Sequence, residues 1–460
     1  MAGNNVSRRD FLKAMGASAA FAASMTQLGG KLMAMPHRQD VVGISFGGWG
    51  GVAEDEGVRA AIEVFQAENP GITVEWQHTP DAGEYNRVLL TNFAAGTTPD
   101  TSFIIADGYE TYVAQGILLD ITDQITADPV LGQPDYFMPQ EAARCADSNG
   151  RWHGIGSCWV GHHIYYNAQL FEDEGITPPG FADDEIWDWD TFISIAKQLT
   201  IDSAGRHPDD EGFDHEDIQR WGVDWPMTWW QPVASAAHSN GGAYFADGRI
   251  VLDSPEAMEA LQRLSDLIYV HHVAPRSASI ADLGMTNTQM IDNGRLAMAV
   301  EGSWALSWMN SSLTSVPIGT GALPTMGQPA CVLQAHFHSA LANTQHPEEA
   351  WQWVRFLSTP FYQTQFLKIG LWLPSQTALT TPEGLDTWIT EGIHPANYRQ
   401  FVSEYLPTYG VAVRIPPGYV EAAANFIDGA LQAVAAGTLV ADVIPEAVRQ
   451  ANDVMAMAQL

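Results

Sequence analysis

Sixteen tryptophans and thirteen tyrosines stand in this chain beside 54 acidic residues and only 21 basic ones. Indole faces stack on apolar C–H surfaces, and carboxylates accept hydrogen bonds from hydroxyls. Together they hold polyhydroxylated ligands in a partly dry groove. The histidines cluster as His162-His163, His271-His272 and His336-Phe337-His338, which invites a metal reading. Neighbouring side chains on a strand point to opposite faces, which spoils the first two pairs as chelators. His336 and His338 could share a face, but no cysteine or close carboxylate completes a four-ligand set, so no metal or other cofactor is expected. Enzyme signatures are missing: there is no G-x-S-x-G elbow, no Walker loop and no H-E-x-x-H. Carboxylates that could be imagined as a glycosidase pair read as solvated surface charge, because spacing in sequence says nothing of separation in space.

The elements that must position these groups begin with an apolar run at residues 41–46. It opens into Gly47-Gly48-Trp49-Gly50-Gly51, read as a strand leading into a loop. Residues 58–68 carry Val58, Ala61, Ile62 and Phe65 at helical spacing, closed by Asn69-Pro70-Gly71. A second strand at 72–76, a helix at 85–95 stopped by Gly96, and a strand at 101–106 follow. This β-α-β-α-β rhythm predicts an α/β fold with a mostly parallel sheet. Ligands of such sheets sit at the carboxyl ends of strands, which places Trp49 and Asp107 at the mouth of a site. Residues 187–310 read as mostly helical with polar inserts, and 202–217 as an acidic surface loop. Later helices fall at 347–357, 361–369 and 419–436, and no internal repeat is present.

The chain has 460 residues and 46% hydrophobic content, enough for two lobes with substantial cores. Its formal charge is −33. Without the first forty residues, 16 basic groups face 52 acidic ones, a net of −36. Such a surface repels phosphate backbones and disfavours nucleic acid. Only Lys13, Lys31, Lys197 and Lys368 are lysines. An acidic, lysine-poor surface suits salty surroundings, and equally an ordinary exported protein.

Ser7-Arg8-Arg9-Asp10-Phe11-Leu12-Lys13, followed by a mildly apolar run to Leu28, has the form of a twin-arginine export signal over residues 1–40. Cleavage near Ala34 is expected, leaving a periplasmic or cell-surface protein. No cysteine precedes Cys145, so the lipid-attachment cysteine of many exported binding proteins is missing. Cys145 and Cys158 could pair after export, but with Cys331 making an odd count, small buried thiols are the expected state.

Several blocks, in order, resemble the carbohydrate-binding proteins of bacterial and archaeal ATP-driven importers, the maltose-binding-protein-like family. Asn69-Pro70-Gly71-Ile72-Thr73-Val74 resembles its NPGIKV strand entry, Gly96-Thr97-Thr98-Pro99-Asp100 its G-x-x-P-D turn, and residues 114–121 its G-L-L-x-D-L helix end. Residues 149–167 are similar to the G-K-x-Y-G-x-P…YYN crossing. Asn240-Gly241-Gly242, residues 292–304 and residues 344–357 match three further blocks. The resemblance spans nearly all of the chain after the export segment.

It implies two α/β lobes joined by a hinge, residues 41–158 plus 335–373 and residues 159–334 plus 374–460. Crossings would fall near 157–160, 333–338 and 372–375. It further implies a monomeric, non-enzymatic protein that takes a sugar or oligosaccharide in the interlobe cleft, closes on it, and presents it to a membrane permease. Trp304 falls where the family places a sugar-stacking tryptophan, and Trp229 and Trp230 on another contact segment. Asp107 falls at a hydrogen-bonding carboxylate, with helix capping as its plain alternative. Trp49 lies in the glycine loop, and Trp159, His162, His336, His338, Trp372 and Tyr409 sit at or beside the crossings. Tyr85 and Glu301 read more readily as surface or capping residues. Two other ligand readings stay open. A polyamine would need several carboxylates among the aromatics, whereas a phosphorylated solute would need basic groups there, and those are scarce. A secreted carbohydrate-active enzyme is the alternative of a different class.

Overall fold

The computed structural model describes residues 41–147, 149–312 and 316–458. The twin-arginine segment and its cleavage point lie outside the described residues. Among the described residues no helix is long and apolar enough to cross a membrane.

Strand β1 (Val42–Trp49) runs parallel to β2 (Ile72–Thr79) and to β3 (Thr101–Ile104), with Trp49 opposite Thr79 at the carboxyl end. The helix between β1 and β2, Val52–Glu68, buries Val58, Ala61, Ile62 and Phe65, the spacing read from sequence. The next, Ala82–Ala95, is capped by the Asp81 side chain and ended by Gly96 in the left-handed conformation. Each helix starts a few residues before the apolar stripe read from sequence, because its first turn is mostly small and acidic residues that carry no periodic signal. Gly47 and Gly48 belong to β1 rather than to a loop. A Cβ on Gly48 would come within 2.8 Å of the Phe103 and Trp76 rings, so glycine lets the strand pass beneath them.

Strand β4 (Ile155–Gly156) completes the first sheet across a strand from far down the chain, Phe337–Ala340, in the order β2-β1-β3-(Phe337–Ala340)-β4. A second sheet holds β5 (His162–Asn167), β6 (Ile201–Asp202), β7 (Ile218–Asp224), Leu296–Gly302 and Ile318–Gly321. Between them in sequence lies the hairpin β8 (Phe245–Ala246) and β9 (Arg249–Ile250). Leu296–Gly302 is therefore β10, Ile318–Gly321 is β11, Cys331–Leu333 is β12 and Phe337–Ala340 is β13.

The two lobes are thus α/β units, but the mostly parallel expectation holds only for β1, β2 and β3. In the second sheet, order β11-β5-β10-β7-β6, only β7 and β10 run parallel; β5 is antiparallel to β10 and to β11. The reason is chain direction. Strand β5 leaves the junction between the lobes, whereas β10 returns to it, ending with Gly302 opposite His162. The stretch expected to be mostly helical therefore holds two long strands of this sheet.

Three chain segments hydrogen-bond side by side between the two sheets. Trp159 and Leu373 exchange backbone bonds of 2.9 and 3.0 Å, and Val160 and Gln334 exchange two of 3.1 Å. All three cysteines are buried and free, as thiols rather than a Cys145–Cys158 disulfide.

Candidate ligand-binding site

Strand ends and connecting segments bring most of the singled-out aromatics into two groups. On the first lobe, Trp49 ends β1 with its ring 5.3 Å from that of His336, and His336 lies 5.4 Å from Trp372. Trp372 is buried, stacked at 4.0 Å on Phe366, and donates its indole N–H to Glu54. On the second lobe, Trp229 and Trp304 meet edge to face at 5.6 Å, and His162 packs against both, at 4.8 and 5.5 Å. Trp304 lies flat over Gly302, where a Cβ would stand 2.0 Å from its ring. That glycine lets the indole lie against the end of β10.

Asp107 belongs to neither group. It stands in the first turn of the helix Ala106–Ala114, directly after β3. Its Oδ1 accepts from the Trp230 indole at 3.2 Å and from the Gln334 amide at 3.1 Å. Trp230 opens the second-lobe helix Trp230–Ser239, so this bond crosses between the lobes. Burial pushes the Asp107 carboxyl up to about 6, against the pull of those two donors and with Asp428 adding repulsion.

The tryptophan pair is divided. Trp229 joins Trp304, whereas Trp230 packs inside against Tyr244 and Phe245. Two expected residues lie elsewhere. Trp159 is a core side chain, 1% exposed, lying under the Arg144 guanidinium at 4.9 Å. Strand alternation in the first crossing turns its ring away from the aromatic groups. Tyr409 sits at the far end of a short helix, with its hydroxyl donating to Asp183 at 2.7 Å, well apart from the tryptophans. Of the paired histidines, His162 faces Trp229 and Trp304 and His163 faces Tyr165 and Phe401, the opposite faces that a strand requires. Burial takes His162, His163 and His336 each down to about 3, so all three are neutral near pH 7.

Sequence reading missed Glu54, which stands in the first turn of the helix Val52–Glu68 and fills the space over Gly50. It is 9% exposed, and burial raises its carboxyl to about 8 despite the Trp372 hydrogen bond. Asp224 was passed over, and Glu301 was read as a surface or capping residue; Asp224 ends β7, Glu301 is next to last in β10, and they share Asn287, whose amide is 2.7 Å from Asp224 and 3.5 Å from Glu301. Burial and then the Asp224 charge lift Glu301 to about 7.

A pH test follows for Glu54. Its folded value lies above its ordinary 4.5, so the folded protein keeps a proton that the unfolded chain has lost between those limits. Stability from this group is present below pH 4.5 and lost as pH rises towards 8. Glu54→Gln is therefore expected to raise stability at pH 8, by on the order of a few kcal/mol, and to change little at pH 4. Urea denaturation at the two pH values checks this; equal shifts at both would contradict it.

Two surface cavities, of about 590 Å³ beside Trp187 and Asn397 and about 470 Å³ beside Phe245 and Arg414, lie away from the aromatic groups.

The family profile described as bacterial extracellular solute-binding protein matches residues 49–364. A putative binding protein of Brucella abortus is 24% identical over 322 residues, covering 68% of this chain and 71% of its own length. An arabinooligosaccharide-binding protein of Halalkalibacterium halodurans is 23% identical over 249 residues, 54% of this chain and 49% of that protein. Among solved structures, an ABC substrate-binding protein of Listeria monocytogenes in complex with cycloalternan superposes with a TM-score of 0.75 at 22% identity, covering 91% of this chain and all of the other.

Proposed function

The chain belongs to the bacterial extracellular solute-binding proteins, and from that premise we propose that it captures an oligosaccharide between its lobes and presents it to the permease of an ATP-driven importer. The observation that carries this reading is the pair of aromatic groups, Trp49 with His336 and Trp372, and Trp229 with Trp304 and His162, together with the Asp107–Trp230 hydrogen bond. Indole planes in both groups suit the two apolar faces of a pyranose ring, and Glu54, Asp107, His162 and His336 supply polar contacts around them. In this reading the lobes are residues 41–158 with 335–373 and residues 159–334 with 374–460. The protein works as a monomer, and the twin-arginine signal delivers it across the inner membrane. Ligand touching both lobes favours the closed form by its differential affinity.

A thermal-shift screen of mono- and oligosaccharides against the protein without residues 1–40 tests the proposal. A ligand at a hundredfold excess over its Kd stabilises by about 2.7 kcal/mol, a shift of several degrees. A panel that produces no shift at all would overturn the reading, and hydrolysis of a panel member would replace it with an enzyme.

A further inference from the structure

Tryptophan is the largest apolar side chain, and fifteen of the sixteen in this chain, all among the described residues, are buried or half-buried. The other one, Trp308, is 54% exposed. A single exposed apolar residue is ordinary on a protein surface, so its position decides whether it matters. Trp308 lies on the helix Ala305–Ser312. Trp304 directly precedes that helix, and its carbonyl accepts the Ser307 N–H at 3.2 Å. The helix buries Ala305, Leu306 and Met309. One edge of this stripe is occupied: a Cβ on Gly370 would come within 3.0 Å of the Leu306 side chain, and the Asn310 amide donates to the Ile393 carbonyl at 2.9 Å. Positions 304 and 308 share the other edge, because residues four apart on a helix stand one turn above another.

Helical side chains lean towards the N-terminus, so the Trp308 indole leans back over the turn that starts at Trp304. The step from one to the other is about 6 Å along the axis. Trp304 is half-buried, held against Gly302 and touched by Trp229 and His162. Trp308 belongs to none of the hydrophobic cores of the described residues and does not pack against one. The aromatic group of the second lobe therefore continues outwards onto a ring whose face is left to solvent. We infer that Trp308 is an outer stacking platform. The sugar unit after the one on Trp304 lies against it, so the ligand is a linear oligosaccharide longer than the inner group can cover, and Trp308 sets the preferred chain length. This inference rests on the oligosaccharide reading above.

The test is calorimetric titration with three ladders, malto-, cello- and arabino-oligosaccharides, each from the monosaccharide to the hexamer. In a ladder that binds, affinity is expected to rise with length, and the step at which the chain reaches Trp308 should be about tenfold in Kd. Trp308→Ala should erase that step and leave the shorter members within about twofold of wild type. Trp308→Phe, which keeps an aromatic face, should restore most of it. Both variants should keep the wild-type melting temperature, since the ring is exposed, so that a loss reports a missing contact and not a damaged fold. Equal loss at every length, or a length step that survives Trp308→Ala, would overturn this inference and leave the oligosaccharide reading intact. Affinity that does not depend on length would overturn it too. If no member of any ladder binds, both readings fall.

Discussion

Arg144→Met is expected to destabilise the protein by about 3–5 kcal/mol, the cost of leaving a buried carboxylate without its partner. Arg144 and Glu141 are both buried, with the guanidinium donating to the carboxylate at 2.9 to 3.3 Å. The same guanidinium donates to the Ala335 carbonyl at 2.5 Å and the Cys158 carbonyl at 3.2 Å, and lies over the rings of Trp159 and Phe337. Cys158 belongs to the first connection between the lobes and Ala335 to the second, so one side chain fastens both. The Cys145 thiol donates to Glu141 at 2.9 Å, which leaves that carboxylate fully engaged. Removing Arg144 alone strands Glu141 and two backbone carbonyls. Removing both charges, in Arg144→Met with Glu141→Leu, should recover much of the loss, because an apolar pair of similar size needs no compensation. Urea denaturation followed by tryptophan emission gives both values. A single substitution costing under about 1 kcal/mol would show that solvent reaches the pair.

Why this pair escaped a reading of the sequence is instructive about the rest. Glu141 and Arg144 sit three apart on a short helix, a spacing that in a sequence reads as an exposed ion pair. Only the arrival of two distant connecting segments buries them. The first three strands and their helices were legible because each has one face to the core and one to solvent, so periodicity marks them. Strand β10 was not, because nearly every one of its residues is buried. A continuous apolar run of that length does not distinguish strand from helix. Strand β7, with Trp221, Gly222 and Val223 buried in succession, hides for the same reason.

The site divides along the same line. Trp49 and Asp107 could be placed from local pattern, since strand ends in an α/β sheet collect at one edge. Trp229 and Trp304 came from resemblance to family blocks; Trp372 and His336 came from nearness to the crossings and form one group with Trp49. Trp159 and Tyr409 were chosen for nearness to the crossings, and nearness in sequence does not fix the direction of a side chain. Glu54 carried no signal beyond a carboxylate in the first turn of a helix, where acidic residues are favoured in any protein. Its burial depends on Trp372, which the chain delivers only from the third connection.

Trp304→Ala should cost the most affinity of any single change in the two aromatic groups. Its half-buried ring is anchored at one face by Gly302 and touched by Trp229 and His162, which leaves the indole as a fixed platform. Truncation removes the apolar area that a sugar face would cover together with the stacking geometry. The expected loss is about 2–3 kcal/mol, roughly 30- to 150-fold in Kd. Gly302→Ala should give part of the same loss without removing the ring, because the new methyl cannot coexist with the indole in its present place. Tyr409→Phe, which breaks only the bond to Asp183, should leave Kd within about twofold. Titration of the three variants with a ligand found in the thermal screen decides the matter. Should Trp304→Ala lower the melting temperature but not the affinity, the indole is a core side chain. The binding face would then lie on the first lobe alone, at Trp49 and Trp372. Loss in both Trp304→Ala and Gly302→Ala, with Tyr409→Phe unchanged, ties affinity to the ring's position and not merely to its presence.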